Sequence, residues 1–263
     1  MDASIIMDTA WDVGASKALV RVVSRRKGSD IATEVDSILT AEHRLLVTIN
    51  GQNAMRIVCT PEHLEELVLG RLLTEGYIRC AEDIDLMYIC PKGNEADVML
   101  KREIPLRPAE DVTETCCTDN HVLLSTRREL EPVTPMDWQE KWIWTLDSEF
   151  QKDTLLHRLT HATHSAFLMH EGVIRYEAED IGRHNAIDKV IGMALRDDVD
   201  LHTSILYTTG RIPVDMARKC IMAGIPVMVS KEAPTVESVL LSKRYGLSLI
   251  CNVKKDTMYI FAE

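Results

Sequence analysis

The sequence lacks the segments by which a chain enters or crosses a membrane. No stretch approaches about 18 consecutive apolar residues, and no positive region precedes the short apolar run at the amino terminus. Positive charge is also scarce, since 41 acidic side chains outnumber 30 basic ones and the formal net charge is −11. This balance disfavours duplex nucleic acid and anionic membranes as partners. We therefore expect a soluble, unprocessed protein of the cytoplasm.

Paired metal-binding and disulfide motifs are absent as well. The seven cysteines are odd in number and scattered, with no C-x-x-C, which is unlike a secreted disulfide framework. His157, His161 and His164 are spaced for one helical face, but no accompanying zinc motif supports them, so we predict no metal site. The G-x-S-x-G motif is missing too, which disfavours a serine hydrolase.

Two adjacent cysteines stand out from this background. Cys116 and Cys117 lie in the polar run Glu-Thr-Cys-Cys-Thr-Asp-Asn, where no apolar neighbours bury a thiol. An exposed thiol is more often reactive than structural, and vicinal cysteines bridge each other only with strain, so the run predicts one reactive thiolate. The remaining cysteines lie beside apolar residues and are predicted to be small core side chains: Cys59, Cys80, Cys90, Cys220 and Cys251.

The first half of the chain shows mostly strand patterns around one helix. Residues 42–58 alternate apolar and polar about Asn50-Gly51, which predicts a hairpin with a type I′ turn. Thr60-Pro61 supplies an N-cap and a first-turn proline for a helix over about 61–75. Further predictions are strand pieces in 84–112 with a turn at 91–94, and an irregular segment over 113–140 that carries the cysteine pair.

The second half alternates strands and helices with short loops. This order predicts a mostly parallel sheet covered by helices, with ligand sites at the carboxyl ends of the strands. We therefore divide the chain into a β-rich portion, 1–140, whose hairpin could share a sheet with the rest, and an α/β domain, 141–263. The predicted elements are a helix at 149–160, a hairpin over 164–177, a helix through 187–195, strand 204–208, helix 213–223, strand 227–230, helix 236–245 and strand 247–251.

Three polar segments are candidate sites. Residues 208–211 and 230–235 each follow a strand, and their backbone N–H groups with Arg211 and Lys231 could bind an anion at helix amino termini, or the hydroxyl residues could simply cap the helices. The run 179–189 holds six ionisable side chains in eleven residues before an amphipathic helix. It is either a polar site or a solvated helix start.

Taken together, these segments resemble the formate dehydrogenase accessory sulfurtransferase family (FdhD/NarQ). The likeness runs from about Glu42 to Cys251, through TPEHLEELVLGRLLTEGYI, TTGRIPVDMARKCIMAGIPVMVS and APTVESVLLSKRYGLSLI, and EDIGRHNAIDKVIG is its most specific part. The resemblance implies a cytidine-deaminase-like three-layer α/β domain without that family's zinc, plus a smaller β-rich portion. It also implies a role in maturing molybdenum enzymes.

The resemblance further implies a sulfur relay. Cys116 or Cys117 would accept sulfane sulfur from a cysteine desulfurase as a persulfide and pass it to a bis-molybdopterin guanine dinucleotide molybdenum cofactor destined for apo formate dehydrogenase. A homodimer is implied as well. The implied cofactor-binding residues are Glu179, Asp180, Gly182, Arg183, His184, Asn185, Asp188, Lys189, Gly210, Arg211, Ser230, Ala233, Pro234, Thr235, Asn252 and Lys254.

The chain departs from the family pattern in three places. Many members have C-G-x-C-G where this chain has Cys-Cys-Thr-Asp-Asn at 116–120, so the second cysteine of that motif is missing. The family's T-G-G-T-H-A-A is replaced at 160–166 without its glycines, and its glycine-arginine ending is replaced at 251–256. An alternative function is therefore a chaperone that holds the cofactor without transferring sulfur. A diverged nucleotide deaminase is a third, which the missing zinc-ligand pattern disfavours.

Overall fold

The first half of the chain is built mainly from strands. The computed structural model describes residues 17–28, 31–108, 120–126 and 128–263. Asn50 and Gly51 have φ values of 49° and 78°, so the predicted type I′ turn is confirmed. The elements of this half are β1 (Lys17–Arg25), β2 (Ala32–Thr40), β3 (His43–Ile49), β4 (Gln52–Cys59), α1 (Leu64–Thr74), β5 (Ile84–Ile89), β6 (Glu95–Leu100), β7 (Arg107–Pro108), β8 (His121–Val122) and β9 (Leu124–Ser125).

The second half alternates helices and strands, as predicted. Its elements are α2 (Glu140–Phe150), α3 (Leu155–Thr160), β10 (His164–His170), β11 (Val173–Asp180), α4 (Arg183–Arg196), β12 (Ser204–Thr208), α5 (Val214–Met222), β13 (Val227–Ser230), α6 (Val236–Tyr245), β14 (Ser248–Lys254) and β15 (Thr257–Ala262). Strands β12 and β13 and helix α6 have the predicted bounds. The final strand, β15, was not predicted.

Both principal sheets are mixed, so the predicted mostly parallel sheet is wrong. The larger sheet has the order β11-β10-β12-β13-β14-β15, in which the β12–β13 and β13–β14 pairs are parallel and the other three are antiparallel. Its outer strands belong to the β10–β11 and β14–β15 hairpins, and strands joined by tight turns run antiparallel. The smaller sheet has the order β5-β6-β3-β4-β8, with β3 and β6 parallel.

The predicted helix over 149–160 is also wrong, because the chain breaks there into α2 and α3. Asp153 at the break has a positive φ of 61°. The amino terminus of α3 is held by Glu179 on β11, whose carboxylate accepts hydrogen bonds from the N–H groups of Leu156 and His157, each at 2.7 Å. A cap supplied from far along the chain starts a new helix where local periodicity predicted one continuous helix.

The larger sheet lies in the middle of three layers. On one face, Ile143 and Leu146 of α2 pack on Phe167 and Tyr207. On the other face, α4 and α5 pack against the opposite side chains of the same strands, including Leu206. The fold is therefore a layered α/β arrangement, and the division at residue 140 stays a prediction.

Helices α1 and α4 bring the two sheets together through an unusually close contact. A Cβ atom placed on Gly70 would lie 1.8 Å from the carbonyl oxygen of Asp188, and one placed on Gly192 would lie 1.8 Å from that of Glu66. Glycine is required at both positions because any side chain would overlap the facing backbone.

The cysteines described by the structure divide into two groups. Cys59, Cys220 and Cys251 are buried, as predicted, and burial raises the pKa of each thiol, that of Cys251 to about 12. Cys80 is exposed and Cys90 is half-buried, so the prediction of core positions is wrong for these two. Cys80 precedes a short 3₁₀ turn at the surface, and the Cys90 thiol donates a hydrogen bond to Asn94.

Candidate functional site

Two strand-to-helix loops lie side by side at the carboxyl edge of the parallel strands. The N–H of Ile212 donates to Ala233 O at 3.2 Å, and the N–H of Thr235 donates to Ile212 O at 3.0 Å. The Ser230 hydroxyl ties the loop bases together by donating to Gly210 O at 2.7 Å. Thr235 forms a capping box with Ser238, so the capping interpretation of this residue is confirmed.

The run at 179–189 brings further polar groups to the same edge. Arg183 packs so closely on the first loop that a Cβ placed on Gly210 would lie 2.7 Å from Arg183 Cδ. His184 Nε2 lies 2.6 Å from Asp215 Oδ2 in the first turn of α5. Burial, followed by the nearby Arg183 guanidinium, lowers the pKa of His164, which is 3.3 Å from the Thr209 hydroxyl. This environment favours the neutral form of the imidazole.

Asp180 is the centre of a buried polar network below these loops. Its carboxylate is fully buried and lies 2.8 Å from the equally buried Lys189 ammonium. The N–H groups of Thr60 and Gly182 donate to it at 3.0 and 2.9 Å, and Lys189 also donates to the Thr60 hydroxyl at 2.7 Å. Thr60 therefore binds across to β11 and does not cap α1, which begins only at Leu64. The network fixes where the chain enters α4.

Asn185 connects this network to the chain that follows the cysteine pair. Its Nδ2 donates to Asp180 Oδ1 and to Val58 O, each at 2.8 Å. Its Oδ1 accepts from Asn120 Nδ2 at 3.0 Å, while Asn120 Oδ1 accepts the Val58 N–H at 2.7 Å. Asn120 is buried, and both the oxygen and the nitrogen of its side-chain amide are hydrogen-bonded. The first described residue after the cysteine segment is thus anchored on the 179–189 run.

Asp188, in contrast, faces away from the loops and joins three helices. It accepts from Lys219 of α5 at 3.0 Å, from Arg71 of α1 at 3.1 Å and from the Thr74 hydroxyl at 2.8 Å. Burial by itself raises the pKa of the neighbouring Glu75, but Lys219 and Arg71 outweigh it and lower this pKa to about 2. This cluster holds α1, α4 and α5 together beneath the site.

Glu179 also differs from its neighbours in the run. Successive side chains on a strand point to opposite faces, so Glu179 points away from Asp180. Its carboxylate is occupied by the amino terminus of α3 and by the hydroxyls of Thr154 and Thr163, at 2.5 and 3.0 Å. Its carbonyl oxygen still accepts from Lys189 at 3.1 Å. Only the backbone of Glu179 takes part in the network at the loops.

Asn252 and Lys254 lie on β14, at the far side of the second loop. The N–H of Asn252 donates to Glu232 O at 3.3 Å. Lys254 lines an open cavity of about 550 Å³. Lys231, in the second loop, lines the same cavity, and its ammonium nitrogen lies 4.8 Å from the centre of the Phe150 ring. The cavity is lined by Gln151, Lys231, Lys254, Lys255, Asp256 and Thr257.

The sequence of this chain matches a known protein family over most of its length. A model of the FdhD/NarQ family matches residues 40–263. The chain belongs to the FdhD/NarQ family. The specific run EDIGRHNAIDKVIG supplies the residues at the centre of the site just described.

Relatives and a solved structure agree with this membership. The chain is 30% identical over 249 residues to the sulfur carrier protein FdhD of Wolinella succinogenes, covering 92% of this chain and 86% of that one. It is 31% identical over 265 residues to the protein of the same name from Nocardia farcinica, covering 95% and 94%. A crystal structure from Desulfotalea psychrophila, described as a formate dehydrogenase accessory protein, superposes with a TM-score of 0.78 at 26% identity, covering 95% and 98%.

The structure brings most of the predicted site residues together but not all of them. Cys116 and Cys117 lie outside the described residues. The structure brings together Asp180, Gly182, Arg183, His184, Asn185, Lys189, Gly210, Ser230, Ala233, Pro234 and Thr235, with the exposed Arg211 at the rim. Whether they bind a cofactor stays a prediction.

The structure adds residues that the sequence did not predict to belong to the site. Asn120, Asp215 and Thr60 complete the network, and each is far in sequence from its partners. A polar residue at the end of a polar run carries no signal of burial, so Asn120 could not be recognised beforehand. His157 stacks edge-on to His161 at 5.7 Å, and within the described ranges no group of three metal-ligating side chains is found. In those ranges no helix has the length and apolar character needed to cross a bilayer.

Proposed function

We propose that this protein is a sulfur carrier that accepts sulfane sulfur as a persulfide on Cys116 or Cys117. It then passes the sulfur to a bis-molybdopterin guanine dinucleotide molybdenum cofactor bound for apo formate dehydrogenase. Membership of a family whose relatives are named sulfur carrier proteins supports this role. The donor would be a cysteine desulfurase, the setting the cytoplasm and the working form a homodimer.

The observation that carries the proposal is the anchoring of Asn120 on Asn185. Cys117 precedes Asn120 by three residues, and three fully extended residues span at most about 11 Å. Cys116 is one residue further away, at most about 14 Å. The chain length thus limits how far both cysteines can lie from Asn120, and this supports a carrier thiol that works beside the 179–189 run.

The chemistry of loading needs only a thiolate and a donor persulfide. The cysteine sulfur attacks the terminal sulfur of the donor's persulfide, a new S–S bond forms, and the old S–S bond breaks to release the donor's cysteine as a thiolate. The exchange is redox-neutral, so one carrier thiol suffices. The absence of a second cysteine at the family position is compatible with this step, because a resolving thiol is not used.

The loops and the basic cavity offer N–H donors and positive charge that suit the phosphate groups of the proposed cofactor. Backbone N–H groups at the amino termini of α5 and α6 point toward the carboxyl edge of the sheet, where helix dipoles favour phosphate groups. Lys231, Lys254 and Lys255 add positive charge at the neighbouring cavity. We also propose that the three-layer domain is cytidine-deaminase-like, with α2 on one face of the sheet and α4 and α5 on the other.

A second function is supported by the position of that cavity. Its three lysines are independent of the cysteine pair, so the protein could hold the guanine dinucleotide cofactor for an apo-enzyme without carrying sulfur. In this alternative, substitution of both cysteines leaves nucleotide binding and client activation intact.

The deciding experiment is intact-protein mass spectrometry after incubation with a cysteine desulfurase and cysteine. We expect a mass increase of one sulfur atom on the wild type and on one of C116A and C117A, and none on the double variant. C80A, at the exposed cysteine outside the site, is the matched control and should load normally. An unmodified wild type that still activates the client would replace the relay by the cofactor-holding function.

A further inference from the structure

The exposed sides of α5 and α6 form a surface of unusual composition beside the candidate site. Three large apolar side chains are exposed there: Val214 by 41%, Val236 by 70% and Leu240 by 63%. Their positions are related by the backbone. Ile212 and Pro234 are paired by a parallel bridge, so Val214 and Val236, each two residues further on, begin their helices side by side.

On each helix, cationic side chains follow these apolar ones along the same exposed side. Arg218 follows Val214 by four residues, and Lys243 and Arg244 follow Leu240 by three and four, which places them on the same exposed sides. Arg211 stands at the other end, in the loop before α5. In the described part of the chain no carboxylate lies within 4 Å of any of these four cations, although Glu237 is exposed nearby. We call this surface the α5–α6 face: Arg211, Val214, Arg218, Val236, Leu240, Lys243 and Arg244.

This composition is opposite to that of the whole protein, whose formal net charge is −11. A cationic surface with an apolar centre on an acidic chain is complementary to an acidic protein segment that presents apolar anchors. The α5–α6 face starts at the two loops that are proposed to hold the cargo. A protein docked there would lie beside the two loops that are proposed to bind the cofactor.

We propose that the α5–α6 face binds the protein that receives the cofactor, through an acidic, amphipathic segment of that recipient. This inference rests on the proposed function, which identifies the recipient as apo formate dehydrogenase. Apolar anchors at Val236 and Leu240 supply contact area, and the surrounding cations set orientation and the rate of encounter.

The test is the affinity of the full-length protein for apo formate dehydrogenase made without its cofactor. We expect L240E to weaken binding about tenfold or more, since it removes an anchor and adds a repulsive charge. The double variant R218E/K243E should weaken it by a similar factor and flatten its dependence on salt. L86E is the matched control, because Leu86 on β5 is 58% exposed and lies outside this face.

The outcomes separate this inference from the proposed function. Sulfur loading is followed on the same variants by mass spectrometry and should be equal in the wild type, L240E and L86E. Equal client affinity in L240E and L86E overturns the inference while leaving the relay intact, whereas an unloaded wild type overturns the relay alone. Loss of binding in R218E/K243E with normal binding in L240E overturns it in favour of a contact made by the cations alone, without apolar anchors. Conversion of a wild-type dimer to a monomer by L240E overturns it in favour of self-association.

Discussion

The anchor at Asn120 makes a prediction that separates sulfur loading from sulfur delivery. In N120A the N–H of Val58 and the Oδ1 of Asn185 lose their partners, at 2.7 and 3.0 Å. Each unsatisfied buried group costs about 1–3 kcal/mol, and partial relaxation brings the expected loss to about 2 kcal/mol. For a chain of this size that loss lowers the melting temperature by about 4–8 °C.

The functional consequence concerns the position of the cysteines more than their reactivity. We expect N120A to accept sulfur from a desulfurase at the normal rate, because loading requires only access to the thiol. In the proposed relay, delivery should fall about tenfold or more, since about 2 kcal/mol of anchoring at Asn120 is lost. The assays are mass spectrometry for loading and formate dehydrogenase activity for delivery.

The matched control is N53A, at an exposed asparagine of β4. It should change neither assay. Normal delivery by N120A together with the expected loss of stability would show that the anchor does not position the carrier. Loss of loading at unchanged stability would refute the argument in a different way, by placing Asn120 in the acceptance step itself.

Four further predictions follow from the described contacts. In G70A a methyl group meets a facing carbonyl oxygen at 1.8 Å, so urea denaturation should show a loss of at least about 2 kcal/mol, and an unchanged midpoint would contradict the close packing of α1 and α4. K189M leaves a buried carboxylate without its ion-pair partner and should cost about 3 kcal/mol in the same assay; stabilisation by this variant would show that burial of the ammonium outweighs its pairing. The pKa of Glu75 is lowered to about 2, so its contribution to stability is present above about pH 4.5 and is lost as the pH falls toward 2; E75Q should flatten this acid limb in thermal melts, and an equally steep limb would refute the assignment. K254E/K255E should weaken binding of guanosine diphosphate about tenfold in calorimetry, and unchanged affinity would remove the cavity from the cargo site.

The sequence was sufficient where local chemistry decides the conformation. Asn50-Gly51 specifies a type I′ turn by its tolerance of positive φ, and Thr235 caps α6 at the predicted residue. In the same way, α4 was predicted from its amphipathic pattern, and β12 and β13 were predicted from their short apolar runs. In each of these cases the determining residues lie within a few positions of the element they specify.

What could not be predicted depends on contacts between distant segments. The break between α2 and α3 is set by Glu179, which arrives from another strand to cap α3. The antiparallel pairing of β10 with β12 depends on where a hairpin docks, which periodicity does not report. In the same way, the run at 179–189 was predicted to be either a polar site or a solvated helix start. The burial of Asp180 and the role of Asn120 appear only once β4, β11 and α4 are assembled.

The cluster around Asp188 has a consequence for any attempt to divide the protein. Arg71 comes from the first half of the chain, while Asp188 and Lys219 come from the second, and the glycine contact between α1 and α4 lies directly beside them. Separate expression of the halves would take Asp188 away from Arg71, which would keep Glu75 as a carboxylate partner, and would expose the helix faces that meet at Gly70 and Gly192. We therefore expect a gene cut between the codons for residues 128 and 139 to yield polypeptides that accumulate only when both are made in the same cell.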